Sequence, residues 1–97
     1  MVDETALNKR ISRKARAEVL LRDELLLEAF DTMHREYERA WRNTKDDETA
    51  ERERLFMALK TVALVKGHLM KAVSDGNLAQ KEIDAAMGRK PKIFGML

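Results

Sequence analysis

The chain has no cysteine, a single proline, four glycines, and aromatic residues at only 5% of its 97 positions. Without cysteine there can be no disulfide and no thiolate metal site, so stability has to come from packing alone. The lone proline, Pro91, leaves everything before it free of the strongest helix breaker. Val, Ile and Thr are scattered rather than alternating, so strands are not expected. No apolar run approaches the ~18–20 residues needed to span a bilayer, and the opening MVDETALNKR has no signal-peptide core, so no membrane association is expected. Also missing are a nucleophile beside a base, a glycine-rich phosphate loop, and an acid pair set in an apolar run. No catalytic residue is therefore assigned. The chain is expected not to be an enzyme and to carry no cofactor.

What is present is a soluble, helix-forming composition, 37% charged and 44% hydrophobic, on a chain long enough for one domain. The net charge of +2 hides an uneven distribution. Residues 1–22 carry six Lys/Arg against three Asp/Glu, residues 23–54 six against eleven, and residues 55–97 seven against three. A basic arm, an acidic middle and a basic end complement each other, within one chain or between two copies. They do not by themselves make a nucleic-acid footprint.

The stretch that organises the rest is Leu55–Val73, LFMALKTVALVKGHLMKAV. Leu55, Val62 and Leu69 recur every seven residues, with Ala58, Val65 and Ala72 alongside and Leu59, Phe56, Ala63 and Met70 on the flanks. This apolar face is too wide for a helix covered on one side only. Lys60, Lys66 and Lys71 are left for water.

Taken in order, Thr5 reads as the N-cap of a thin amphipathic helix over 6–21, with Leu7, Ile11, Ala15 and Val19 along one stripe and Arg10, Arg13, Lys14 and Arg16 around it. Arg22-Asp23-Glu24 is either a helical passage or a break; a break or kink is the favoured reading, with Asp23 capping a second helix over 24–43. Leu26, Met33 and Ala40 repeat there every seven residues, flanked by Phe30, Tyr37, Leu27 and Trp41. Asn43–Glu48 is a polar loop in which Thr44 or Asp46 can cap a third helix over 47–74. Ser74-Asp75-Gly76-Asn77 carries a helix-stop signature, Gly76 at the left-handed C′ position and Asn77 with Gln80 starting a short last helix over 78–87. Gly88 ends it, and 88–97 is a basic, apolar tail. The expected fold is thus all-α: an antiparallel helical hairpin (24–43 with 47–74), an additional N-terminal helix and a short C-terminal helix. Leu26, Phe30, Met33, Tyr37, Trp41, Leu55, Leu59, Val62, Val65 and Leu69 form the expected core.

Three patterns invite a functional reading. Asp31 and His34 have the i, i+3 spacing of a bundle metal half-site, but Val65 stands three residues before His68 and no second half-site exists. Residues 71–83 read as helix, turn at Gly76, helix, yet the second helix presents Gln80, Lys81, Glu82 and Asp84, too acidic to meet phosphates. Direct DNA binding is therefore the least favoured reading. The tail, with Arg89, Lys90, Lys92, Ile93, Phe94, Met96 and Leu97, carries the strongest functional signal: its apolar residues are either docking groups for a protein partner or tucked onto the chain's own core. The central glycine, Gly67, costs about 1 kcal/mol relative to Ala in a helix; close approach of another helix would explain it, and so, equally, would plain tolerance in a well-packed helix.

The order of LLLEAF (Leu25–Phe30), Tyr37 and Trp41 four apart, an acidic loop leading to RERL (Arg52–Leu55), and the DGNLA turn (Asp75–Ala79) resembles small uncharacterised proteins of tailed bacteriophages and prophages. The likeness spans roughly Leu20 to Gln80. It implies a phage-encoded protein without enzymatic activity. Independently of the likeness, the wide apolar face of Leu55–Val73 and the thin helix over 6–21 are under-covered for a monomer, so the expected role is a phage structural or assembly protein, oligomeric, in the host cytoplasm or the virion. Its partners would be itself and other phage structural proteins. The alternative is a small phage-encoded regulator or inhibitor that binds a host protein or a nucleic-acid machine.

Overall fold

A computed structural model of the chain describes residues 3–88. They form three α-helices, α1 (Glu4–Leu21), α2 (Glu24–Arg42) and α3 (Thr49–Ala86), with no strand among the described residues. The all-α class follows from the helix-forming composition and the helical spacing of the apolar residues.

Each start has a local cause. Asp3, not Thr5, caps α1: its backbone is extended and its carboxylate accepts a hydrogen bond from the Ala6 N–H at 3.2 Å. Asp23 does the same for α2, accepting from the Leu26 N–H at 2.9 Å, which places the break between the first two helices at Arg22-Asp23. At the second connection neither Thr44 nor Asp46 caps. Glu48 occupies the N-cap of α3 without a side-chain cap bond, and its carboxylate instead accepts from the Lys45 N–H at 2.9 Å. Thr44 closes the end of α2, its hydroxyl donating to the Trp41 carbonyl at 2.6 Å.

α3 is the organising element, but it extends well past the end expected at residue 74. It runs for 38 residues, about 57 Å at ~1.5 Å per residue, and passes straight through Ser74-Asp75-Gly76-Asn77. The separate short helix over 78–87 does not exist; those residues are the last turns of α3. The local stop signal is overridden because α1 lies across it. Gly76 is buried, and a Cβ built there would collide with the Cβ of Lys14 and stand 3.0 Å from the Arg10 carbonyl oxygen. The glycine admits a neighbouring helix; it does not turn the chain. The left-handed glycine that ends the helix is Gly88, at φ +69°.

α1 and α2 are laid one after the other along α3. Leu7 and Ile11 pack against Ala79 and Ile83, Arg10 reaches Asp75, and Arg13 reaches His68, so α1 runs antiparallel to the second half of α3. Phe30, Met33 and Tyr37 share a groove with Ala58, Thr61, Val62 and Val65 of the first half. The packing of α1 on α3 is the more extensive, and α1 and α2 hardly touch. The result is a rod of 61 × 29 × 24 Å.

The core accordingly sits at the other end from where sequence spacing puts it. The buried hydrophobics are Leu7, Ala17, Phe30, Ala72, Ala79 and Ile83. Of the ten residues expected to form the core only Phe30 is buried; Leu26, Tyr37, Trp41, Leu55, Leu59, Val62 and Leu69 are half-buried. Met33 and Val65 are 37% and 50% exposed. The heptad spacing finds the line along which α2 and α3 meet, but two helices alone cannot enclose their own seam.

Candidate protein-binding surface

Three regions of the rod have chemistry worth describing. The first is the seam where α1 crosses α3. Arg10 Nε donates to Asp75 Oδ2 at 3.0 Å and its Nη2 lies 2.9 Å from Oδ1, with a further bond to the Asp75 carbonyl at 3.3 Å. Glu82 stands 3.7 Å from the same guanidinium. The hydrogen bond from Arg10 holds the Asp75 carboxyl below its ordinary range against the opposing effect of burial, and the same bond raises the Arg10 guanidinium. Bidentate Arg–carboxylate pairing fixes geometry as well as charge. This cluster sets the register of α1 on α3, directly over Gly76.

The second region is a groove beside that seam, lined by Arg13, Arg16, Ala17, Leu20, His68, Leu69 and Ala72. Its floor is apolar and its rim basic. Arg13 Nη2 lies 3.2 Å from His68 Nε2, so this histidine is engaged with α1.

The third is the apolar groove between α2 and α3, floored by Phe30, Val62 and Val65. It closes at the loop end, where the Arg52 guanidinium lies 4.7 Å from the centre of the Trp41 ring and its Nη1 donates to Thr44 Oγ1 at 2.8 Å. Elsewhere it is open. Beyond it, large hydrophobics are exposed along the whole rod: Leu25 at 74%, Leu64 at 70%, Val19 at 67%, with Phe56, Met57, Met70, Leu78 and Met87 all above half.

Arg89, Lys90, Lys92, Ile93, Phe94, Met96 and Leu97 lie outside the described residues. Asp31 pairs with Arg35 at 3.2 Å, and His34 lies 3.4 Å from Glu38. Among the described residues no group of three or more His, Asp or Glu is placed to hold a metal ion, and no helix is long and apolar enough to cross a membrane. The helix-turn-helix reading of 71–83 fails because no turn is present at Gly76. Sequence reasoning missed the Arg10–Asp75–Glu82 cluster and the groove around Arg13 and His68. The signal available was the basic stripe on α1, from which Arg10 reaches Asp75 and Arg13 reaches His68 in the second half of α3.

No family model matches the chain, and no curated protein or solved structure is significantly similar to it.

Proposed function

We propose that the chain is a non-enzymatic structural or assembly protein that works through protein–protein contacts and in more than one copy. One observation carries this reading: only six hydrophobic residues are buried among those described, while eleven large hydrophobics remain exposed. The whole chain exposes 8188 Å², against about 5,700 Å² for a compact monomer of its mass. That difference exceeds what the eleven residues outside the described range can contribute, at most about 1,800 Å² as open chain. Surplus surface together with eleven exposed large hydrophobics is the property of a subunit rather than of a self-contained domain. We read α2 and the first half of α3 as an antiparallel hairpin whose open groove takes a helix from a partner. The likeness to small phage proteins makes an assembling particle its setting.

The test is fractionation of particles from an infected or induced culture carrying the tagged chain. Sedimentation of the tagged chain with particles, or with their precursors, supports the reading. Recovery only at the top of the gradient, free of any particle protein, would sink it.

The basic-rimmed groove around Arg13, Arg16 and His68 favours a second reading. An apolar floor edged by guanidinium groups suits an acidic amphipathic helix of a host protein, as a regulator or inhibitor would require. The same fractionation separates the two, since a regulator is absent from purified particles and remains bound to a host protein.

A further inference from the structure

The side of α3 turned away from α1 and α2 is exposed throughout, and its pattern is symmetric. Gly67 lies at the middle of the helix, which runs from Thr49 to Ala86. Leu64 and Met70 lie three residues to either side of it, and Phe56 and Leu78 eleven to either side. Steps of three, four, seven and eleven residues share one face of a helix. All four flanking side chains are at least half exposed, Leu64 at 70% and the others at 51–55%. Lys60 and Ser74 lie seven residues from Gly67 on either side, and Ala63 and Lys71 lie four.

Gly67 itself is unexplained within one chain. A Cβ built there meets nothing within 4 Å, in contrast to Gly76, where α1 fills the space. A mid-helix glycine with open space beside it weakens the helix and returns nothing to the monomer.

We infer that this face is the interface of an antiparallel, two-fold dimer of the chain, with the axis passing beside Gly67. The inference rests on the reading of the protein as an oligomerising module and names its first partner. A two-fold axis at Gly67 sets residue 64 against 70 of the second copy and 56 against 78. Leu64 then packs on Met70 and Phe56 on Leu78, each pair made twice, as an isologous interface requires. Gly67 meets its own copy, where the absent Cβ lets the two helices approach closely. Lys60 and Lys71 lay their stems along this seam and carry their ammonium groups to its rim.

Charge supports the same arrangement and excludes the parallel one. The half of the rod built from residues 3–22 and 66–88 carries nine Lys/Arg against six Asp/Glu, a net of +3. The other half, residues 23–65, carries seven against eleven, a net of −4. Antiparallel pairing lays the positive half of one copy beside the negative half of the other, and parallel pairing would lay like on like. The surplus surface left after allowing for the eleven residues outside the described range, about 700 Å² per chain, is close to the ~800 Å² that each partner of a standard-size interface removes from water.

Two sets of variants of the full chain test this, read by sedimentation velocity across micromolar concentrations. The parent should sediment as a dimer. Gly67→Ala should weaken dimerisation at least tenfold while raising helix content, and Leu64→Asp should give a helical monomer. In a monomer Gly67→Ala would only raise the melting temperature. Because the chain has no cysteine, register can be read directly: a mixture of Lys60→Cys and Ser74→Cys chains should cross-link on mild oxidation, and neither should do so alone. A disulfide dimer of Lys60→Cys with itself overturns the antiparallel register. A monomeric parent overturns the dimer but leaves the α2–α3 groove as a site for another protein, as does an oligomer indifferent to both Gly67→Ala and Leu64→Asp.

Discussion

Gly76 of α3 lies directly beneath Lys14 of α1, so close that the two helices touch through the missing side chain. The obstacle to a larger residue is the Lys14 Cβ and the Arg10 carbonyl, neither of which can swing aside. Gly76→Ala should therefore push α1 off α3 and loosen the Arg10–Asp75 pair. Forcing a methyl group into a packed site costs about 1–3 kcal/mol, and the gain in helix propensity offsets only about 1 kcal/mol. A lower urea midpoint is expected. An unchanged or higher midpoint would show that α1 shifts without cost.

Asp75 gives the fold an acid limb. Its carboxyl is held below the ordinary value by the hydrogen bond from Arg10, so the folded state binds a proton there less readily than the unfolded chain. The stability this contributes is fully present above the ordinary carboxylate pKa near 4 and is lost as the pH falls through the lower folded value. Arg10, raised by the same bond, stays charged throughout. The melting temperature of the parent should drop through this window, whereas Asp75→Asn should start lower at neutral pH and converge with the parent in acid. The pair is 31% and 39% exposed, so added salt should narrow the gap. Parallel curves for the two proteins from pH 7 to pH 2 would refute the assignment.

Among the described residues the enclosed cluster is Leu7, Ala79 and Ile83, with Ile11 against it. Ile83→Ala removes three carbons from this cluster and should cost about 2–5 kcal/mol. Leu25, 74% exposed, is the control: Leu25→Ala should change stability by no more than about 0.5 kcal/mol. Similar losses for both, measured by chemical denaturation, would mean that the core lies elsewhere.

These residues also show what could be read from the chain alone. The all-α class, the Asp23 cap and the terminating Gly88 rest on local chemistry, so the sequence displays them. Of the residues on the heptad lines, Met33 and Val62 share the groove between α2 and α3. The lines overstate burial, because periodicity gives the direction of a face and not whether anything covers it. Gly76 and Gly67 were invisible as a pair. A glycine that turns the chain, one that admits a neighbour and one that faces open space look alike in sequence, and only long-range packing tells them apart. Gly76, read as a turn, admits α1; Gly67, read either as a point of close approach or as tolerated in a packed helix, meets nothing within 4 Å in its own chain. The Arg10–Asp75 contact, 65 residues apart, has no local signature at all.

Trp41 is the only tryptophan and reports on one end of the rod alone. Its ring is covered by Arg52, which also holds Thr44, whose hydroxyl in turn closes the last carbonyl of the Trp41 turn. Arg52→Ala removes a cation–π contact of about 0.5–1 kcal/mol and a side-chain hydrogen bond of about 1 kcal/mol, and leaves the ring open to water. Its emission should move to longer wavelength. Since α1 and α2 hardly touch, the loss should stay local to the α2–α3 connection. Trp41 fluorescence should then report unfolding at lower denaturant than the helical signal, which is dominated by α3 and its seam with α1. In the parent the two transitions should coincide. Unchanged emission, or a variant whose two transitions shift together, would show that Arg52 does not hold this end of the rod or that the rod unfolds as one unit.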